Sequence, residues 1–102
     1  MAKKVIDVSH HNGTIDWESV KAAGIDGAII RCGFGSDISS QDDTQWKRNA
    51  DECMRLGIPF GVYLYSYATT DSMAKSEAEH VLRLIKGYKL SYPVHYDLAE
   101  NG

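Results

Sequence analysis

Two aspartates in this sequence stand inside short runs of strand-forming residues. Asp7 lies in Val5-Ile6-Asp7-Val8-Ser9, and Asp97 lies in Pro93-Val94-His95-Tyr96-Asp97-Leu98. A charged carboxylate within a buried strand is unfavourable unless it is paired or used. Parallel α/β folds place their active sites at the carboxyl ends of strands, which is where such acids would lie. We therefore expect Asp7 and Asp97 to share one functional site.

Aromatic and imidazole side chains accompany the two acids. Residues two apart share a face of a strand, so His95 points with Asp97, and Tyr63 points with Tyr65 on another strand. Carboxylates can act on a glycosidic oxygen and on the positive charge that develops on a sugar ring, and flat aromatic rings stack on sugars. If these faces turn inward together, the combination is typical of a carbohydrate site.

The same residues also allow structural roles. Asp7 could be a structural carboxylate that pairs with Arg31. Alternating tyrosines in one strand are common in half-buried cores. His95 could be a satisfied interior histidine, and His10 and His11 could be surface residues or residues at the rim of a substrate site. The sequence pattern leaves these alternatives open.

An alternation of strand and helix patterns must position these residues. Hydrophobic periodicity and turn signals predict strands at 4–9, 27–32, 60–67 and 94–98 and helices at 16–23, 44–56 and 71–86. The order βαβαβαβ predicts an α/β fold with a parallel sheet and right-handed crossovers. This is half of an eight-stranded barrel or a small open sheet. The third helix is predicted to pack on the sheet through Met73, Ala74, Ala78, Val81, Leu82 and Ile85.

Length and composition limit the other possibilities. A chain of 102 residues suits one domain, here residues 1–102. The net charge of −3, without a basic cluster, argues against nucleic acid or an anionic membrane as partner. The sequence contains no membrane-spanning apolar stretch and no hydrophobic signal core, so we expect a soluble chain without a signal peptide.

The cysteines and histidines do not follow a metal-binding pattern. Cys32 and Cys53 form no CxxC pair, and the four histidines lack the spacing of zinc ligands. We therefore expect no metal and no other cofactor. Both cysteines lie in apolar patterns, which predicts reduced thiols in the core.

Several blocks of the chain, in order, carry a resemblance to a known family: Ile6-Asp7-Val8-Ser9-His10-His11-Asn12-Gly13, Ile15-Asp16-Trp17, Val20-Lys21-Ala22-Ala23-Gly24, Ala28-Ile29-Ile30-Arg31, Gly57-Ile58-Pro59-Phe60-Gly61-Val62-Tyr63-Leu64-Tyr65-Ser66-Tyr67-Ala68 and Pro93-Val94-His95-Tyr96-Asp97-Leu98. Together they resemble the glycoside hydrolases of family 25. These are bacterial and phage lysozymes that cleave peptidoglycan between N-acetylmuramic acid and N-acetylglucosamine. The resemblance implies about half of a TIM-like (β/α) barrel. It also implies peptidoglycan glycan strands as the partner and the bacterial cell wall as the place of action.

The resemblance also implies roles for individual residues. Asp7 resembles the first-strand acid at the cleavage point, and Asp97 resembles the first acid of the family's Asp-x-Glu motif. The aromatic lining of the sugar subsite corresponds to Tyr63 and Tyr65. The substrate-binding set predicted from the sequence is Tyr63, Tyr65, Tyr96 and His95.

The chain departs from the family pattern in two respects. The general-acid position, two residues after Asp97, is Ala99, and Glu100 comes one residue late, on the opposite face unless a bulge re-aims it. The family domain is also about twice as long as this chain. We therefore expect an N-acetylmuramidase with impaired activity, whose catalytic candidates are Asp7, Asp97 and, subject to that bulge, Glu100. The alternative is a non-catalytic, truncated or engineered half-barrel that self-associates through exposed strand edges, with at most residual glycan binding.

Overall fold

A four-stranded parallel sheet runs through residues 4–98, the part of the chain that the computed structural model describes. The strands are β1 (Val5–Val8), β2 (Gly27–Phe34), β3 (Phe60–Ser66) and β4 (His95–Leu98), in the spatial order β1-β2-β3-β4. The helices are α1 (Trp17–Ala22), α2 (Trp46–Leu56) and α3 (Asp71–Ile85). The predicted parallel α/β fold is confirmed, and each element boundary lies within two residues of its predicted place.

No helix in this part of the chain is both long and apolar enough to span a membrane.

One face of the sheet packs against the helices and forms the core. Alternate residues of the two central strands are fully buried there: Ala28, Ile30, Cys32, Val62 and Leu64. Trp17 of α1 and Trp46 of α2 complete this layer. The indole of Trp17 donates a hydrogen bond to Asn49 Oδ1 at 2.9 Å, which ties α1 to α2.

The third helix packs on the sheet through a set of residues that only partly matches the prediction, since Val81 and Ile85 contact the core but Leu82 does not. Leu82 is 64% exposed, so its predicted burial against the sheet is wrong. Val81 is 2% exposed, and the polar residues Glu77 and His80 are buried beside it. Glu77 accepts a hydrogen bond from the Ser66 hydroxyl at 2.5 Å. Apolar periodicity does not predict this packing, because polar side chains with partners on β3 and in the loop after β2 occupy part of the buried face.

A β-bulge near the end of β2 changes the face on which its last residues lie. The pairing of β2 with β3 shifts between Arg31 and Gly33, which leaves one extra residue on β2. Gly33 consequently faces the helices, where an added Cβ would lie 2.6 Å from the Gln41 carbonyl oxygen and 2.9 Å from the His80 ring. The close approach of the loop and of α3 therefore requires glycine at this position.

The two cysteines are free and buried, as predicted. Burial raises the pKa of the Cys32 thiol and of the Cys53 thiol to about 12 in each case. Both thiols are therefore neutral near pH 7 and act as small apolar residues.

Candidate active site

The sheet face opposite the helices carries most of the residues predicted to form a site. In the pairing of β3 with β4, Tyr63 lies opposite His95, and Tyr65 lies opposite Asp97. Strand alternation puts these four side chains on the face away from the core, because the intervening residues of β3 are buried against the helices. Asp7 of β1 lies on the same face.

A hollow of about 300 Å³ joins the two acids. Asp7 and Asp97 belong to the outer strands β1 and β4, which in a flat sheet would stand about 14 Å apart. Both nevertheless line this hollow, so the sheet curves around it. Its lining is Asp7, Ile29, Tyr63, His95, Tyr96 and Asp97.

A second hollow, of about 330 Å³, shares part of this lining. It is bordered by Ser9, His11, Arg31, Tyr63, Tyr65 and Asp97. Because Tyr63 and Asp97 belong to both linings, the two hollows are adjacent on this face of the sheet. We call the two hollows together the groove.

Tyr63 lies within reach of the electric fields of both acids. Its pKa is raised, chiefly because burial disfavours the charged phenolate. Arg31 lowers this pKa, whereas the carboxylates of Asp7 and Asp97 raise it further. The phenol therefore remains protonated near pH 7 and can donate a hydrogen bond within the groove.

A buried ion pair with Asp43 holds Arg31 at the groove. The sequence pattern does not predict this pair. Arg31 Nε donates to Asp43 Oδ2 at 2.9 Å, and the Asp43 side chain is fully buried. Arg31 also contacts His10 Nδ1 through its terminal nitrogen. The alternative in which Asp7 pairs with Arg31 is therefore wrong, and within residues 4–98 Asp7 forms no ion pair. Asp43 lies in the loop between β2 and α2, where no periodic pattern links it to Arg31.

Tyr96 differs from the other predicted sugar contacts. It borders the groove, but strand alternation places its ring on the helix side of β4. There it lines a separate hollow of about 430 Å³ beside Glu77 and Ala78. Burial raises its pKa, with further contributions from Cys32 and Glu77 on that side. Tyr96 therefore borders the groove, as a member of the predicted substrate-binding set would, but its ring lies on the side away from Tyr63 and Tyr65.

Two residues of the predicted chemistry, Ala99 and Glu100, lie outside the described residues. The described side chains that line the groove include two exposed carboxylates, two imidazoles, a guanidinium and the phenols of Tyr63 and Tyr65. Carboxylates can stabilise positive charge on a sugar ring and accept hydrogen bonds from its hydroxyl groups.

Between residues 4 and 98, no three His, Cys, Asp or Glu side chains are grouped so as to hold a metal ion.

The sequence of this chain matches a known family. The model of the glycosyl hydrolases family 25 matches residues 6–98. Lysozyme M1 of Streptomyces globisporus is 34% identical over 67 residues, which make up 66% of this chain and 22% of that protein.

Solved structures show the same fold. The modular autolysin LytC from Streptococcus pneumoniae, in complex with a synthetic peptidoglycan ligand, matches 98% of this chain with a TM-score of 0.86 and 42% identity. The CTP1L endolysin matches 99% of this chain with a TM-score of 0.87 and 27% identity. The chain spans 23% and 36% of the lengths of these two proteins, respectively.

Proposed function

The chain belongs to the glycosyl hydrolases of family 25, and on this basis we propose that its groove binds the glycan strands of peptidoglycan in the bacterial cell wall. The observation that carries the proposal is that Asp7 and Asp97, from the two outer strands, line one hollow together with Tyr63. In this proposal, residues 1–102 form a single domain, a lysozyme-like half-barrel.

The bond that this site would act on joins N-acetylmuramic acid to N-acetylglucosamine. In such a hydrolysis a carboxylic acid protonates the glycosidic oxygen, the bond from that oxygen to the sugar C1 breaks, and water adds to C1. Asp7 and Asp97 supply negative charge beside the ring as positive charge develops on it. Tyr63 and Tyr65 offer flat faces to the sugars, and His95, opposite Tyr63, adds a polar contact.

Hydrolysis by this chain is impaired, because the sequence lacks a carboxylic acid at the position two residues after Asp97. Ala99 cannot donate a proton, and Glu100 follows one residue late. The loss of a positioned general acid lowers the rate by about 10²–10⁴-fold. The function therefore divides into glycan binding, which the groove supports, and bond cleavage, which is slow.

Two assays on the same preparation test these two parts separately. Co-sedimentation with purified peptidoglycan sacculi measures binding, and the loss of turbidity of a cell-wall suspension measures cleavage. We expect the chain to sediment with the sacculi and to clear the suspension slowly or not at all. Asp97→Asn should weaken binding, whereas Asp51→Asn, at an exposed aspartate on α2, serves as the charge-matched control. Parent chain that stays in the supernatant would contradict the proposed function.

Self-association of a non-catalytic half-barrel is the second candidate function. Within residues 4–98, β1 and β4 each have one strand neighbour, so each has an edge with unpaired backbone groups. Neither strand contains the proline or lysine that protects exposed edges. Val5 on β1 is 44% exposed, and Tyr96 on β4 is 46% exposed. Two copies joined at these edges would provide eight strands. Light scattering that shows a compact monomer at micromolar concentration would exclude this candidate.

A further inference from the structure

The loop between β2 and α2 contains a buried carboxylate that the proposed chemistry does not use. Asp43 Oδ2 accepts from Arg31 Nε at 2.9 Å and from the His10 backbone N–H at 3.0 Å. Its Oδ1 accepts from the Gln45 backbone N–H at 2.8 Å. A buried carboxylate is tolerated when charged or backbone donors satisfy it, and charge-assisted hydrogen bonds of this kind are the strong ones.

The donors on Oδ2 belong to the edge of the groove. Arg31 lines it directly, and His10 begins the short turn that carries His11, another lining residue. That turn is stiffened from within, because Ser9 Oγ accepts from the His11 N–H and Asn12 Oδ1 accepts from the Ser9 N–H. Asp43 therefore connects a preformed turn after β1 to a guanidinium on β2.

We propose that Asp43 is a positioning residue for glycan recognition, which holds Arg31 and the turn at residues 9–12 together as one side of the groove. The inference rests on the proposed function and adds to it. With Nε bound to Asp43 and one terminal nitrogen on His10, the guanidinium keeps further N–H donors for a ligand. These donors suit a carbonyl or carboxylate oxygen on a sugar substituent.

The ring of His10 provides a spectroscopic signature of this arrangement. Its Nδ1 contacts the Arg31 guanidinium, which can only donate, and lies 3.3 Å from Asp43 Oδ2, which can only accept. A neutral ring with its proton on Nε2 accepts from Arg31 through Nδ1. The ¹⁵N shifts of His10 therefore report whether Arg31 remains in place.

Two adjacent aspartates provide the variant and its matched control. In Asp43→Asn, the side-chain amide must direct its own N–H groups either at Gln45 or at the Arg31 and His10 donors, so one side of the arrangement is lost. In Asp42→Asn the same change is made one residue away, where the carboxylate binds Arg83 and His80 on α3. Thermal melts test whether both variants fold.

The readouts are the His10 ring and Arg31 Nε resonances of the free protein, and the Kd for a tetrasaccharide of alternating N-acetylglucosamine and N-acetylmuramic acid. We expect Asp43→Asn to move both resonances and to weaken tetrasaccharide binding about tenfold or more, as the loss of a charged hydrogen bond implies. We expect Asp42→Asn to leave the resonances in place and the Kd within about twofold of the parent value.

A folded Asp43→Asn variant with unmoved resonances or with the parent Kd would overturn the proposal. If Asp43→Asn does not fold, Arg31→Lys replaces it, because lysine keeps the charge but cannot contact Asp43 and His10 through a planar fork. That variant should show the same loss of affinity, and parent-like binding would overturn the proposal equally. If the parent itself does not bind the tetrasaccharide, the proposed function fails, and the resonances alone decide whether Asp43 positions Arg31.

Discussion

The carboxylate of Asp42 lies 2.8 Å from Nε2 of His80, whose side chain is fully buried. The other ring nitrogen, Nδ1, lies 2.9 Å from the carbonyl oxygen of Gly35. Both ring nitrogens face acceptor oxygens, so both contacts are satisfied only when the ring carries two protons. Arg83 adds a bidentate contact to the same carboxylate. Asp42 thus fixes the loop after β2 to α3, while its neighbour Asp43 fixes the same loop to the groove.

The Asp42 contacts predict how stability depends on pH. Burial by itself raises the pKa of Asp42, but hydrogen bonds from Arg83 and His80 outweigh it, and the pKa is lowered. A lowered pKa stabilises the folded chain above the ordinary aspartate value, and this stabilisation is lost as the pH falls below about 4. Asp42→Asn should therefore be less stable than the parent at pH 7, and the difference should shrink towards pH 3. Urea unfolding across this range measures it.

Glu79→Gln, at an exposed position on α3, is the control for the loss of a negative charge. Its free energy of unfolding should stay within about 0.5 kcal/mol of the parent value at every pH. A difference between the parent and Asp42→Asn that is constant from pH 7 to pH 3 would refute the assigned role of Asp42.

Two neighbours on α3 test how that helix packs. Val81 is 2% exposed and Leu82 is 64% exposed. Val81→Ala should lower the free energy of unfolding by about 2 kcal/mol, since it removes buried methyl groups and leaves a cavity. Leu82→Ala should change it by less than about 0.5 kcal/mol. Denaturant unfolding of the two variants measures both free energies. A larger loss of unfolding free energy for Leu82→Ala than for Val81→Ala would contradict the assigned packing of α3.

Gly33 tests the close approach of β2, the following loop and α3. The methyl group of Gly33→Ala would lie 2.6 Å from the Gln41 carbonyl oxygen, so the backbone must move to admit it. Overpacking of this kind lowers stability by about 1–3 kcal/mol. The measurement is the urea midpoint of the variant. Unchanged stability would mean that Gly33 does not face the helices and that the bulge does not turn it.

The missing general acid gives a prediction about activity. Ala99 occupies the position two residues after Asp97, where the family pattern has glutamate. In a protein whose barrel has all eight strands, Ala99→Glu should raise cell-wall lytic activity by about 10²–10⁴-fold. The turbidity assay measures this gain. If Glu100→Gln abolishes activity already present in the parent, Glu100 is the proton donor and the assignment by strand alternation is incorrect.

The strands and their faces could be predicted from the sequence, whereas the polar packing could not. The period of two in 60–67 identified Tyr63 and Tyr65 as residues on one face, and the alternation of elements identified the parallel order. Hydrogen-bonded partners far apart in the chain leave no periodic signal, which is why Asp43 was not anticipated as the partner of Arg31. The burial of His80 was missed for the same reason, because its acceptors lie in a loop.

The central claim is that the groove binds peptidoglycan glycan, and residue-resolved NMR during titration with the N-acetylglucosamine and N-acetylmuramic acid tetrasaccharide tests it most directly. We expect saturable chemical-shift changes at Asp7, Tyr63, Tyr65 and Asp97. The resonances of Trp46, on the helix side of the sheet, should not change. Tyr65→Ala should weaken the binding about tenfold, as expected when a stacking ring is lost. Shifts confined to the helix side, or no saturable shifts at all, would contradict the claim.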